Sequence, residues 1–246
     1  MDHIRYELQN RVAVLTLSRP KANAFHLPMV REMGAAFDRA SGEADAVVWY
    51  SDQPRFFSAG FDVTQVFEYD RNQLAEFLGA YSSLVGAVQT WPKPTVAALP
   101  GQTYAGGAIL ALACDFRIMA DGAYGFALTE VNIGVNVPEH VFWLLADAVG
   151  IHRAKQMFLS GRPLMAQDAL VSGLVYELAP EGEVLARSIT LAQELAAKLP
   201  ETYAAIKQMI LGFRPAWSGP VADVDVWFTP QALEFKRQMR EKLARR

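Results

Sequence analysis

The run Ala105-Gly106-Gly107-Ala108-Ile109-Leu110-Ala111-Leu112-Ala113 carries no polar side chain. If it is helical it has no solvent-facing stripe, so the fold must enclose it on every side. It is too short to cross a bilayer, which takes about 20 apolar residues. A chain of 246 residues, 52% of them hydrophobic, is long enough to build one large core or two small ones around it. Elsewhere the longest apolar stretches are broken by Gly, Pro or charge, and no membrane span is expected. The start, Met1-Asp2-His3-Ile4-Arg5-Tyr6, reads as neither a signal peptide nor a membrane anchor.

Around that run, strand and helix patterns alternate. Residues 3–18 read as a hairpin turning at Gln9-Asn10. Leu27, Val30, Met33, Ala36, Phe37 and Ala40 have helical spacing, and residues 72–90 resume it. Ala46–Tyr50, Thr95–Leu99 and Asp115–Ala120 read as buried strands. A polar loop over Ser51–Arg55 leads to Phe56-Phe57-Ser58-Ala59-Gly60, and Pro100-Gly101 turns the chain. From about residue 139 the pattern is mostly helical: 139–149, 152–160, 166–172, 181–199, 201–212 and 229–245, with one strand at 174–178. This pattern predicts an α/β core with an α-helical C-terminal region, divided as 1–190 and 191–246.

Composition excludes several classes. The net charge is −3 with basic residues scattered, which is no footprint for nucleic acid. The single cysteine, Cys114, rules out an internal disulfide and favours a reducing, cytoplasmic setting; it reads as an inert buried thiol. The four histidines show no metal-ligand spacing.

Two turns rich in small residues stand out, Ser58-Ala59-Gly60 and Ala105-Gly106-Gly107, each following a strand. A helix starting at such a turn directs free N–H groups outward, and two of them converging on one carbonyl make an oxyanion hole. Tight packing turns are the other reading. Neither turn matches a dinucleotide or phosphate-cradling glycine motif, so no nucleotide cofactor is expected.

Phe57-Ser58-Ala59-Gly60-Phe61-Asp62, Lys93-Pro94-Thr95-Val96-Ala97-Ala98, Gly101, Ala105-Gly106-Gly107 and Cys114-Asp115-Phe116-Arg117 occur in that order. Thr129-Glu130, Gly134, Pro138, Ser160-Gly161-Arg162-Pro163, Ala166–Ala169 and Gly173-Leu174-Val175 follow. This ordered set resembles the crotonase (enoyl-CoA hydratase/isomerase) superfamily along nearly the whole chain. The resemblance implies a spiral of ββα units with C-terminal helices, assembled as a homotrimer or a dimer of trimers, with 191–246 as the trimerisation region.

The same resemblance implies roles. It places the first oxyanion donor at Ala59 N–H and the second at Gly106 N–H. Ser58, Gly60, Phe61, Asp62 and Val63 line the CoA channel, the loop Arg19-Pro20 with Ala22, Asn23 and Ala24 flanks the CoA, and Gly107 lies beside the thioester. Asp62 is expected to hold its loop by hydrogen bonding. Glu130, by itself either a solvated surface residue or an acid/base, takes the catalytic position. Burial among Phe126, Ala127, Leu128 and Val131 is expected to raise its pKa.

Hydratases of this superfamily carry a further glutamate two residues after the glycine pair, where this chain has Ile109. Adding water to a double bond usually takes two acid/base groups, whereas moving a double bond from C3 to C2 takes one. The chain is therefore most similar to the 3,2-enoyl-CoA isomerases, acting on an acyl-CoA thioester without a cofactor or metal. Hydration, decarboxylation or hydrolysis of an acyl-CoA, and a non-catalytic binding role, are the alternatives. Glu139 and His140 read as first-turn helix residues within reach of the acyl pocket. His26 reads as a surface residue, and Lys236, Arg237, Arg240 and Lys242 as a solvated helix face.

Overall fold

The computed structural model describes residues 1–213 and 224–244. Strands β1 (Ile4–Gln9) and β2 (Val12–Leu17) form an antiparallel hairpin. Its turn residues Asn10 and Arg11 both have positive φ, 47° and 64°, as a two-residue turn matched to strand twist requires. Helix α1 (Leu27–Glu43) crosses over to β3 (Ala46–Ser51), which pairs in parallel with β2. Then come β4 (Phe56–Ser58), the short α2 (Val63–Val66) and α3 (Arg71–Thr90). Asp70 starts α3 with a capping box: its carboxylate accepts from Gln73 N–H, and the Gln73 side chain accepts from Asp70 N–H.

Next are β5 (Thr95–Leu99), β6 (Gln102–Tyr104), α4 (Gly106–Ala113), β7 (Phe116–Ala120) and β8 (Gly125–Ala127). A 3₁₀ turn at Glu130–Ile133 leads to α5 (Glu139–Val149), α6 (Ile151–Ser160), β9 (Leu164–Met165), α7 (Ala166–Val171) and β10 (Glu177–Ala179). Helices α8 (Val184–Ala196), α9 (Pro200–Leu211) and α10 (Pro230–Ala244) complete the described chain.

The strands form two sheets, ordered β1-β2-β3-β5-β7-β10 and β4-β6-β8-β9. The units β3-β4-α3, β5-β6-α4 and β7-β8-α5 each put their first strand in the large sheet and their second in the small one. This is the expected α/β spiral of ββα units with C-terminal helices. Alternation along the large sheet separates two apolar layers. Ala13, Leu15, Val47, Trp49, Ala97 and Leu99 face the main core with α1, α3 and α4. Val12, Val14, Val48, Val96, Ala98 and Ile118 face Leu191, Ala192 and Leu195 of α8. Every residue of α4 is buried, as its composition demands.

The strands expected before the two small-residue turns form at 56–58 and 102–104, in the small sheet. Two expectations shift. The strand expected at 174–178 forms at Glu177–Ala179, because Leu174 and Val175 turn into the core instead. The segment 181–199 divides into a 3₁₀ turn and α8.

Candidate active site

Three strands of the small sheet run parallel and side by side. Ser58 of β4 pairs with Thr103 of β6, and Tyr104 of β6 with Ala127 of β8. Phe61, Gly106 and Glu130 follow the C-terminal ends of β4, β6 and β8 within three residues. The carboxyl ends of parallel strands are where α/β folds collect ligand-binding groups.

Hydrogen bonding decides which amides are available there. Ala59 N–H donates to the Ala22 carbonyl at 2.9 Å, Gly60 N–H to Ser58 Oγ at 3.0 Å, and Asp62 N–H to the Phe25 carbonyl at 2.8 Å. Phe25 N–H donates back to the Gly60 carbonyl at 2.7 Å, making a parallel bridge between Phe25 and Phe61. Phe61 N–H has no acceptor among the described residues, and the bridge on its other side turns it away from Phe25. Gly106 opens α4 without a side-chain cap, which leaves its amide at a free helix N-terminus. The amide pair offered to a ligand is therefore Phe61 and Gly106. Ala59, the first donor expected from its motif, is already satisfied by Ala22. A motif's spacing does not say which of three consecutive amides faces the site; the Phe25 bridge does.

The two loops meet closely. A Cβ on Gly60, whose φ is +90°, would lie 2.7 Å from Ala105 Cβ and 2.9 Å from Gly106 N. A Cβ on Gly106 would meet Phe61 Cε1 at 2.7 Å. Ala105 between them has φ 46° and ψ −123°, a strained conformation for a residue with a side chain. It swings the chain from β6 into α4, and its N–H is held by the Ala127 carbonyl at 2.9 Å.

Other residues expected to bind substrate brace this frame from behind. Ser58 is fully buried and its hydroxyl donates to the Asn23 carbonyl at 2.7 Å. Asn23 is also fully buried; Nδ2 donates to Ser51 Oγ at 2.7 Å and the Phe57 carbonyl at 3.1 Å, while Oδ1 accepts from Arg19 N–H. The missing Cβ of Gly107 would lie 2.6 Å from Ser58 Cβ, so this glycine admits Ser58 rather than a ligand. Asp62 caps α2 through Thr64 N–H and pairs with Arg19 at 2.7 Å, the loop role expected of it. Arg19 also donates to the Ala24 carbonyl at 2.7 Å, tying the two loops together. Ala22, Ala24, Phe61, Asp62 and Val63 remain partly open to solvent at the rim.

Glu130 is 7% exposed and its Oε2 has no hydrogen-bond partner among the described residues. Burial pushes its pKa up to about 7. The carboxyl lines a narrow cavity of about 40 Å³ with Phe61, Tyr81, Ile109, His140 and Trp227. Ile109 faces this space from α4, and burial lowers the His140 pKa to about 4, leaving a neutral imidazole. Glu139 is exposed and accepts from Trp143 Nε1 at 3.2 Å. Tyr81 and Trp227 carried no signal in the sequence: at helical or loop spacing, a buried aromatic in a site looks like any core aromatic.

The remaining candidates divide. His26 is buried, not a surface residue, with Nε2 3.3 Å from His3 Nε2 and the rings stacked at 4.9 Å. Cys114 is buried and its thiol is pushed up to about 12. Lys236 is 6% exposed, packed among the rings of Phe67, Trp227 and Phe228, rather than on a solvated face. Arg237 and Arg240 are exposed and ion-paired, and the Lys242 side chain lies outside the described residues. A larger cavity of about 530 Å³ lies between the end of α4 and α9, and shares no residue with the Glu130 pocket.

Residues 7–212 match the enoyl-CoA hydratase/isomerase family profile. The chain belongs to that family, and so to the crotonase superfamily. It is 32% identical over 213 residues to a probable enoyl-CoA hydratase of Bacillus subtilis, covering 85% of this chain and 82% of the relative. It is 35% identical over 211 residues to a putative enoyl-CoA hydratase of Thermus thermophilus, with 82% and 81% covered. The fold superposes on the human mitochondrial delta3-delta2-enoyl-CoA isomerase with a TM-score of 0.88 at 25% identity, covering 99% of this chain and 98% of that one. As a crotonase-family enzyme acting on acyl-CoA thioesters, it presents its backbone amides and one buried carboxyl at the strand ends. No helix among the described residues is long and apolar enough to cross a membrane.

Proposed function

We propose that this enzyme moves the double bond of a 3-enoyl-CoA to the 2-trans position, using Glu130 as its one proton carrier. The observation that carries the reading is the pocket wall: Glu130 is its one carboxylate among the described residues, and Ile109 fills the place of a second. In this mechanism the Glu130 carboxylate takes a proton from C2. The C–H electron pair forms C1=C2 and the carbonyl π pair moves onto oxygen, giving a dienolate. Phe61 N–H and Gly106 N–H stabilise that oxyanion. The Glu130 carboxylic acid then protonates C4: the C3=C4 pair forms the new C4–H bond, the C1=C2 pair becomes C2=C3, and a pair on oxygen restores the carbonyl. Proton transfer within the substrate needs no cofactor or metal. A pKa near 7 suits a group that must both accept and return a proton.

The names of the curated relatives favour a second reading, hydration of a 2-enoyl-CoA. That reaction calls for a second acid/base group, and the other titratable side chains on the wall are Tyr81 and His140. Initial rates with 3-hexenoyl-CoA and crotonyl-CoA on one preparation separate the two. Isomerisation well above hydration is expected; hydration at an equal or higher rate overturns the single-base reading.

The same reading includes assembly as a homotrimer or a dimer of trimers. Its support is the apolar surface at and beside α9, where Leu199, Ile206, Met209, Ile210 and Phe213 are exposed on the single chain. Sedimentation equilibrium of the full chain tests it, and a monomer removes the assembly from the proposal.

A further inference from the structure

Tyr81 lies midway along α3, is 5% exposed, and touches both halves of the amide pair. Its hydroxyl donates to the carbonyl of Gly106. Its ring packs edge-on against the Phe61 ring, with centroids 5.0 Å apart and planes at 88°, and against the Phe25 ring at 6.0 Å. Phe25 in turn is the residue that bridges Phe61. Tyr81 also lines the cavity that holds Glu130.

We infer that Tyr81 is the positioning residue of the oxyanion hole. Gly106 sits between strained Ala105 and Gly107, where the backbone has the greatest freedom to rotate about its peptide planes. α4 starts there with no side-chain cap to define its first turn. The Tyr81 hydroxyl, delivered by a different helix, pins the Gly106 carbonyl; this fixes the Gly106–Gly107 peptide plane and restrains the residue whose other peptide plane, shared with Ala105, carries the free amide. The ring packs edge-on against the Phe61 ring and so fixes the side chain of the residue that carries the other free amide. One phenol thus sets the spacing between two donors that come from separate loops. Burial and the nearby Glu130 charge both raise the phenol pKa, so the donor proton stays in place at every working pH.

The inference rests on the oxyanion reading above, and the test separates the two. Tyr81→Phe keeps the ring and its Phe61 contact and deletes only the hydroxyl. With 3-hexenoyl-CoA, kcat should fall about tenfold, less than the 10²–10³ of losing a donor outright, because the amide is misdirected rather than removed. KM should stay within about twofold and the melting temperature close to wild type, since the thioester carbonyl is a weak acceptor until charge develops on it. The second measurement is the absorption of bound 2,4-hexadienoyl-CoA, a conjugated acyl group whose band moves to longer wavelength when its carbonyl is polarised. The wild type should show the shift and Tyr81→Phe should lose much of it. A wild-type shift retained in full by Tyr81→Phe, with wild-type kcat, overturns the role of Tyr81 alone. No shift in the wild type overturns the oxyanion reading, and this inference with it.

Discussion

Gly106 and Phe61 touch across the mouth of the site: a Cβ on Gly106 would lie 2.7 Å from Phe61 Cε1 and 2.9 Å from Cδ1. The residue bearing one free amide is therefore the steric limit on the residue bearing the other. Gly106→Ala should push the Phe61 ring and its loop outward and spoil the convergence of the pair. We expect kcat for 3-hexenoyl-CoA to fall by about 10²-fold, the lower range for losing one oxyanion donor. Gly79→Ala, in α3 with nothing within 4 Å of the new Cβ, is the control and should be neutral or slightly stabilising. Melting curves establish that both variants fold, and a folded Gly106→Ala with wild-type kcat would remove the amide pair from the mechanism.

Glu130→Gln keeps the shape of the side chain and removes its charge. Turnover should drop at least about 10²-fold, the low end of what a placed acid/base contributes. Binding of a saturated acyl-CoA, followed by calorimetry, should change little. Turnover near the wild-type level would take Glu130 out of the reaction.

The raised Glu130 pKa also sets pH dependence. The base form accumulates as pH climbs through about 7, so kcat/KM should rise across that point with a single ionisation. Stability runs the other way. The folded pKa of about 7 lies above the reference value of 4.5, so the folded state holds the proton more tightly. Stability from this group is complete below about 4.5 and is lost as pH rises to about 7. Glu130→Gln escapes that loss, and at pH 8 should be more stable than wild type by up to about 3 kcal/mol. Urea denaturation at pH 5 and pH 8 measures both arms; equal pH slopes for the two proteins would contradict the buried, raised carboxyl.

Ile109→Glu places a second carboxyl on the wall of the cavity that Glu130 lines. If the site is one acid short of a hydratase, this variant should gain measurable hydration of crotonyl-CoA while losing isomerase activity. Two carboxyls in one apolar cavity repel and desolvate each other, so a loss of several kcal/mol in stability is expected as well. A folded variant with no gain in hydration would mean that the identity of residue 109 does not separate the two reactions.

Lys207 anchors α9 to the body. It is 7% exposed, and its Nζ lies 2.8 Å from Asp115, which also accepts from Thr95 and Tyr203. Lys207→Met would leave the partly buried Asp115 carboxylate without this cation, so a loss between the about 1 kcal/mol of an exposed pair and the about 3–5 kcal/mol of a fully buried one is expected. Denaturant titration should show that loss, while kcat of the folded fraction stays near wild type because the pair is remote from Glu130. A change in stability below about 1 kcal/mol would class the contact with exposed ion pairs.

Much of this protein was legible along the chain. Period and burial follow directly from local composition, so the hairpin at the start, the helices α1, α3 and α5, the strands β3, β5 and β7 and the wholly apolar α4 could all be read. The ordered motifs pointed to the family and to Glu130, Gly106 and the empty position at Ile109. What the chain could not announce is the small sheet: β4, β6 and β8 are three residues each, too short to show a period, and they exist because each pairs with a partner tens of residues away. That sheet brings Phe61, Gly106 and Glu130 together. The choice of Phe61 over Ala59 as the free amide depends on a single bridge to Phe25, and the pin on Gly106 comes from Tyr81 on another helix. A sequence records which residue types are present and their spacing; the direction in which an amide points is set by hydrogen bonds to distant residues, and only the folded chain decides those.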